Sequence, residues 1–211
     1  MSTRFIPSRL AAAIVVALVA TPALSQEVKP PQGAPEKWVE PPSELPKSNI
    51  GKLQDLDFLF GALKAAPDET SAKAIEQRIW AQWLISKSDT ANLLMTRVKK
   101  AVEAKDLDLA VRLLDAIVEL NPDYVEGWNR RATLHYMRKE FGESLADISR
   151  VLAIEPRHFG ALTGLGLIMQ ELGDEKRALD AFQKALEVHP HLQRVPDYVK
   201  SLSGKIQGRD I

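Results

Sequence analysis

The stretch Glu119-Leu120-Asn121-Pro122-Asp123-Tyr124, ELNPDY, halts an apolar-periodic run with a proline, and the stop recurs. Thirty-four residues on, the chain reads Ala153-Ile154-Glu155-Pro156, and thirty-four further Glu187-Val188-His189-Pro190. Proline lacks an amide donor and disfavours a helical residue before it, so each occurrence marks the end of a helix. Aligning the prolines gives three units, 91–124, 125–158 and 159–192.

The units place Leu94, Trp128 and Leu162 at their fourth residue, and Val98, Ala132 and Gly166 at the eighth. Ala110, Ser144 and Ala178 stand at the twentieth, Leu114, Ile148 and Phe182 at the twenty-fourth, and Ile117, Val151 and Ala185 at the twenty-seventh. Small residues at the eighth and twentieth positions let two antiparallel helices approach closely, and bulky ones at the fourth and twenty-fourth fill the groove beside that contact. Punctuation agrees. Gly173-Asp174 suits a helix stop followed by an N-cap, and Asp123 with Glu126 has the spacing of a capping box.

A thirty-four-residue unit carrying Trp128, Gly166, Ala110, Ala178, Phe182, Ala185 and the terminal prolines resembles the tetratricopeptide repeat family. The third unit is nearest that pattern. The second departs from it, with Arg131 where leucine is usual and Ser144 where alanine is usual. The resemblance implies an all-α fold, a right-handed helical solenoid of antiparallel helix pairs. Residues 50–90 read as a degenerate hairpin of the same kind, with Leu56, Leu59, Phe60 and Leu63 on one face and Ala72, Ile75, Ile79, Trp80 and Trp83 on the next. Residues 193–211 read as a capping helix and tail that close the open end of the stack, as solenoids need for solubility. A continuous stack of all these pairs is the expectation.

The flanking sequence differs. Arg4 and Arg9 precede an apolar run, Leu10 to Ala20, and Ala23-Leu24-Ser25 supplies small residues, so residues 1–25 read as a cleavable signal peptide. The run is too short to span a bilayer, so no stable membrane span is expected after cleavage. Residues 26–49 hold six prolines and read as a linker with Trp38-Val39 as its one apolar feature. No cysteine occurs, which rules out disulfides and thiolate metal sites. The expected location is the bacterial periplasm.

Twenty-eight basic residues balance twenty-eight acidic ones, so no global field favours nucleic acid. No H-E-x-x-H or G-x-S-x-G occurs, and Gly160, Gly164 and Gly166 lack the lysine and strand of a phosphate loop. His189-Pro190-His191 is the one close histidine pair. With Asp197 it offers an alternative reading as a metal site of an envelope enzyme; the plain reading is two solvated imidazoles. Neither cofactor nor catalytic residue is expected.

The resemblance implies a noncatalytic interaction scaffold or assembly adaptor. A peptide or partner helix of a cell-envelope protein would lie along the concave face formed by the first helix of each unit. The matching positions are Met95, Lys99 and Val102 in the first unit, Asn129, Thr133 and Tyr136 in the second, and Thr163, Leu167 and Gln170 in the third. Asn129 and Gln170 would supply hydrogen bonds, Tyr136 and Leu167 apolar anchors. A carboxylate-gripping subtype is disfavoured, because Met95, Lys99, Arg130, Gly160 and Gly164 stand where its basic and asparagine side chains belong. Self-association through the end of the stack or through Trp38 is the remaining alternative.

Overall fold

Each proline stop is followed by a helix whose start is set by local chemistry. A computed structural model describes residues 55–208; the signal peptide and linker assignments lie outside the described residues. The elements are α1 (Leu56–Lys64), α2 (Glu69–Leu84), α3 (Asp89–Glu103), α4 (Leu107–Leu120), α5 (Val125–Met137), α6 (Phe141–Ile154), α7 (Phe159–Glu171), α8 (Glu175–Val188) and α9 (Val195–Gln207). Side chains of Asp55, Asp68, Ser88, Asp106 and Asp174 accept an amide at the start of α1, α2, α3, α4 and α8, satisfying donors that have no partner within the helix. The expected capping box at α5 does not form. Tyr124 is its N-cap residue and makes no side-chain capping bond to α5, Asp123 faces solvent near Arg150, and Glu126 turns inward to other partners.

Within each unit the two helices are joined by the same turn. Lys105, Lys139 and Gly173, thirty-four residues apart, all adopt positive φ, at 60°, 61° and 77°. The amides of Asp106, Glu140 and Asp174 return to the carbonyls of Ala101, His135 and Met169, closing the first helix and aiming the second back along it. The pairs α3/α4, α5/α6 and α7/α8 pack antiparallel, α4 passes its contact to α5 and α6 to α7, and α9 packs on α8. Tyr198 of α9 stacks on Phe182 at 5.0 Å.

The small-residue positions are filled for identifiable reasons. A Cβ on Gly166 would lie 2.5–2.8 Å from the Phe182 ring, which is fully buried and held by Tyr198. Gly166→Ala should therefore destabilise by about 1–3 kcal/mol through overpacking, reversing the gain of about 1 kcal/mol that alanine normally brings to a helix. A urea midpoint equal to or above that of the parent would contradict this. Ser144, fully buried, donates its hydroxyl to the Ala132 carbonyl at 2.7 Å, so its departure from alanine is satisfied inside the helix contact. Arg131 is held by Asp147 at 2.9 and 2.7 Å and by Asp115 at 2.8 Å, with its guanidinium 4.9 Å from the Trp128 ring. An ion cluster thus replaces an apolar contact between units.

The hairpin α1–α2 does not extend the stack ahead of α3. It lies across the proline turns: α1 packs on α8 and α2 on α5. Arg157 of the second turn donates to Asp57 at 2.6 Å, Gln193 after the third turn donates to Glu69, and Asn121 of the first donates to Ser86 Oγ at 2.6 Å. Its apolar side, Leu59, Phe60, Leu63, Ile79 and Trp83, is buried in one cluster with Val125, Val151 and Phe159. Aromatic geometry explains the choice. Trp83 stacks on His158 with centroids 4.1 Å apart and planes at 16°, and Trp80 meets Phe159 edge-on at 5.4 Å.

Candidate functional site

The first helices of units one and two, α3 and α5, line a cleft of about 990 Å³, and Trp80 and Leu84 of α2 form its wall. Met95, Lys99, Val102, Asn129 and Thr133 all line it, joined by Asn92, Glu126, Arg130 and Met137. The i, i+3 and i+4 spacing of helical neighbours puts Asn92, Met95, Lys99 and Val102 on one face of α3. The lining mixes thioether and aliphatic surface with amide and hydroxyl groups.

Tyr136, Thr163, Leu167 and Gln170 are placed elsewhere. Tyr136 is half-buried against Phe141, its hydroxyl pKa raised by burial and then by Glu171 and Tyr198 nearby. Thr163 spends its hydroxyl on the Phe159 carbonyl at 2.8 Å, Leu167 is half-buried in the cluster containing Val195 and Leu202, and Gln170 is exposed. The third unit is also approached by the hairpin: a Cβ on Gly160 would meet the Trp80 ring at 2.9 Å. Glycine at 160 is what lets α2 lie so close.

The floor of the cleft is a polar network. Glu126 is completely buried and accepts from Asn129 at 3.0 Å and from His158 Nε2 at 3.1 Å, with Arg130 Nε 3.4 Å from its second oxygen. The Ala161 amide donates to His158 Nδ1 at 3.0 Å, so the neutral ring carries its proton on Nε2 and gives it to Glu126. Tyr124, at the equivalent place one unit earlier, donates its hydroxyl to the Leu84 carbonyl at 2.8 Å. Its pKa is pushed up to about 12, first by burial and then by the Glu126 charge, so it remains a donor. Lys99 pairs loosely with Glu103 at 3.9 Å on the exposed rim. Both basic residues of the cleft thus have acidic companions.

The histidine pair is engaged by the hairpin. His189 is buried and its Nε2 lies 3.4 Å from Glu76 Oε2, while His191 Nε2 donates to the Ala66 carbonyl at 3.0 Å. Each ring is bonded to the hairpin, His189 buried and His191 half-buried, in place of the two solvated imidazoles expected. Among the described residues no group of three or more histidine, aspartate and glutamate side chains is placed to hold a metal ion. Burial holds the His189 pKa below the ordinary histidine value, the Glu76 carboxylate pulls the other way, and His191 adds to the depression. An unfolded histidine takes its proton near pH 6.5 and the docked one only at lower pH. The docked state therefore has its full stability above about pH 6.5 and loses part of it as pH falls below that, until the docked ring protonates too. Thermal midpoints between about pH 7.5 and 5 should fall, and His189→Phe should flatten the slope. An identical slope in that variant would contradict the assignment.

Sequence reasoning missed Trp80, Leu84, Asn92, Glu126 and Met137 as lining residues. Asn92 and Glu126 stand at the second position of their units, one helical turn before Met95 and Asn129, so the face already chosen pointed to them. The repeat period alone did not place α2 at the cleft.

Antiparallel helix pairs stacked at a fixed period around an open cleft define a helical-repeat scaffold. No protein-family model matches the chain. A TPR repeat-containing protein of Rhizobium etli is 41% identical over 155 residues, which span 74% of this chain and 76% of the relative. The small glutamine-rich tetratricopeptide repeat-containing protein 2 of Saccharomyces cerevisiae is 27% identical over 146 residues, 69% of this chain but 37% of the yeast protein. Among solved structures, the first TPR of Spaghetti (RPAP3) bound to an HSP90 peptide superposes with a TM-score of 0.55 at 17% identity, over 57% of this chain and 96% of that one. The MamA protein superposes with a TM-score of 0.53 at 16% identity, over 76% and 86%. The structural likenesses speak for the fold; the Rhizobium relative decides the family. The chain belongs to the TPR repeat-containing proteins.

Proposed function

We propose that this protein is a noncatalytic interaction scaffold or assembly adaptor of the bacterial periplasm, holding a peptide or partner helix of an envelope protein in the cleft between α3 and α5. TPR domains generally mediate protein–protein interaction, and the observation that carries the reading is the cleft itself. Its lining brings Met95, Val102 and Met137 together with Asn129 and Thr133, apolar contacts beside a few convergent polar groups. The RPAP3 domain holds the HSP90 peptide SRMEEVD. Here Lys99 and Arg130 are already matched by Glu103 and Glu126, which favours a ligand gripped through its backbone and apolar side chains over one gripped by its carboxylates. The periplasmic placement rests on the signal-like residues 1–25. No helix among the described residues is long and apolar enough to cross a membrane.

A photoreactive group at Thr133, compared with one at the exposed Lys184 on α8, tests the cleft in envelope extracts. A partner crosslinked from Thr133 alone, and lost when Met95→Arg fills the cleft, is the expected result. Equal crosslinking from both positions would overturn it. Recovery of the full-length chain in the cytoplasmic fraction would overturn the location.

A further inference from the structure

The chain contains four methionines and no cysteine, so thioethers are its only oxidisable sulfur. Met1 lies outside the described residues. Of the other three, Met95 on α3 and Met137 on α5 line the cleft together. Met137 is 56% exposed and Met95 half-buried, whereas Met169 on α7 is 6% exposed, enclosed in the cluster with Phe182 and Leu202. The repeat shows that the two cleft methionines are not packing requirements. Met95 stands at the fifth position of its unit, where the other units carry Asn129 and Thr163, and Met137 at the thirteenth, where they carry Glu103 and Glu171. Polar side chains thus fill both places in the sister units, and the same helix pairs form around them.

We propose that Met95 and Met137 are a paired oxidation site, modified by hydrogen peroxide, that switches the cleft from an apolar to a polar lining. The modification stands by itself, while its effect on binding rests on the cleft holding a partner, as proposed above. In the reaction a sulfur lone pair attacks one peroxide oxygen, and the O–O bond breaks as the S–O bond forms. The displaced hydroxide takes the proton of the transferred oxygen and leaves as water; each sulfur loses two electrons and the peroxide gains them. A flexible apolar side chain becomes a strong dipole with an acceptor oxygen. Thr96 and Thr133 have no proton to offer that oxygen, since their hydroxyls donate to the Asn92 and Asn129 carbonyls at 3.1 and 2.9 Å, and Asn92 spends both ends of its amide on Ser86. Lys99 is the donor at hand. One turn beyond Met95 and held by Glu103 only at 3.9 Å, its ammonium is free to turn onto the new oxygen. Oxidation therefore removes apolar surface from the cleft and draws a charge toward it, which disfavours an apolar ligand. The fold is spared, because both sulfoxides occupy positions that are polar in the other units.

Hydrogen peroxide on the folded full chain, followed by site-resolved mass spectrometry, reads the site directly. Met137 and then Met95 should each take up one oxygen at least about tenfold faster than Met169, and urea should bring the three rates together. The thermal midpoint of the chain oxidised at both cleft positions should stay within about 3 °C of the parent. With the peroxide removed before the chain meets an envelope extract, crosslinking from Thr133 should fall by about tenfold. Methionine sulfoxide reductases with dithiothreitol, which release the oxygen as water while two thiols become a disulfide, should restore it. Met95→Leu with Met137→Leu, whatever its own starting level, should lose no further crosslinking after peroxide. Equal rates at the three methionines in the folded chain, or unfolding when the cleft pair is oxidised, would overturn the modification site. Unchanged crosslinking by the oxidised chain would overturn the switch. A chain whose methionines react in the expected order but which captures no partner from Thr133 before or after peroxide would overturn the cleft as a binding site, and the switch with it, while supporting the modification site.

Discussion

Trp83→Ala should release the α1–α2 hairpin from the stack while α3 to α9 stay folded. Trp83 is buried among His158, Trp80, Phe60 and Phe159, so removing it deletes ring contacts on four sides at once. Aromatic-to-alanine changes at such sites typically cost about 3–5 kcal/mol, and Trp83 stands at the centre of the aromatic contacts that hold the hairpin's remaining core, Leu59, Phe60, Leu63 and Ile79, on the stack. Hydrogen exchange should show α1 and α2 losing protection, with α7 and α8 little changed. Among the described residues the indole Nε1 of Trp83 has no hydrogen-bond partner, so Trp83→Phe gives up no bond there and should cost much less. Uniform loss of protection across all nine helices would mean that the hairpin and the repeats unfold as one unit. Because Trp80 and Leu84 wall the cleft, ligand capture should weaken together with hairpin protection.

Asp147→Ala should be nearly as damaging for a different reason. Asp147 is buried and takes two bonds from Arg131, so its removal strands a half-buried guanidinium whose remaining carboxylate, Asp115, is exposed. Hydrogen bonding to Asp147 holds the Arg131 pKa above its ordinary value; that support goes with the partner, but a guanidinium stays charged without it. Breaking a buried pair from one side typically costs about 3–5 kcal/mol, and Asp115 keeps the expected loss toward the lower end. The third unit shows the apolar solution at the same two positions, Leu165 and Ala181. Arg131→Leu combined with Asp147→Ala should therefore recover most of the loss and lie within about 1 kcal/mol of the parent. Chemical denaturation of the two single variants and the double variant closes the cycle; a double variant as weak as Asp147→Ala would show that the cluster is more than a substitute for packing.

The helix pairs were legible because their causes are local. Proline stops, small residues facing small residues and the recurrence at thirty-four residues act within one unit, and the structure repeats them down to the positive φ at Lys105, Lys139 and Gly173. The capping box at Asp123 was misread because Glu126 has a stronger use, holding His158 in the next unit. The hairpin was misplaced because its apolar face is compatible with stacking ahead of α3, and only the rings it meets decide otherwise. A signal was present: the last residues of the three units, Tyr124, His158 and Leu192, share one repeat position, and all three touch the hairpin. Period alone says that these positions are equivalent; it does not say that one helix crosses all of them. The cleft followed the same division. Positions on α3 and α5 could be read from helical spacing, whereas the wall contributed by α2 depends on long-range packing.

The central claim is that the first hairpin lies across the proline turns and walls the cleft. Since the chain contains no cysteine, Glu69→Cys with Gln193→Cys gives one unambiguous thiol pair at a place where the two side chains meet. A short bis-maleimide should crosslink them rapidly within a monomer, faster than it crosslinks a pair linking Glu69→Cys to Arg97→Cys on α3. Efficient crosslinking of the second pair with none of the first would place the hairpin ahead of α3 and contradict the wall.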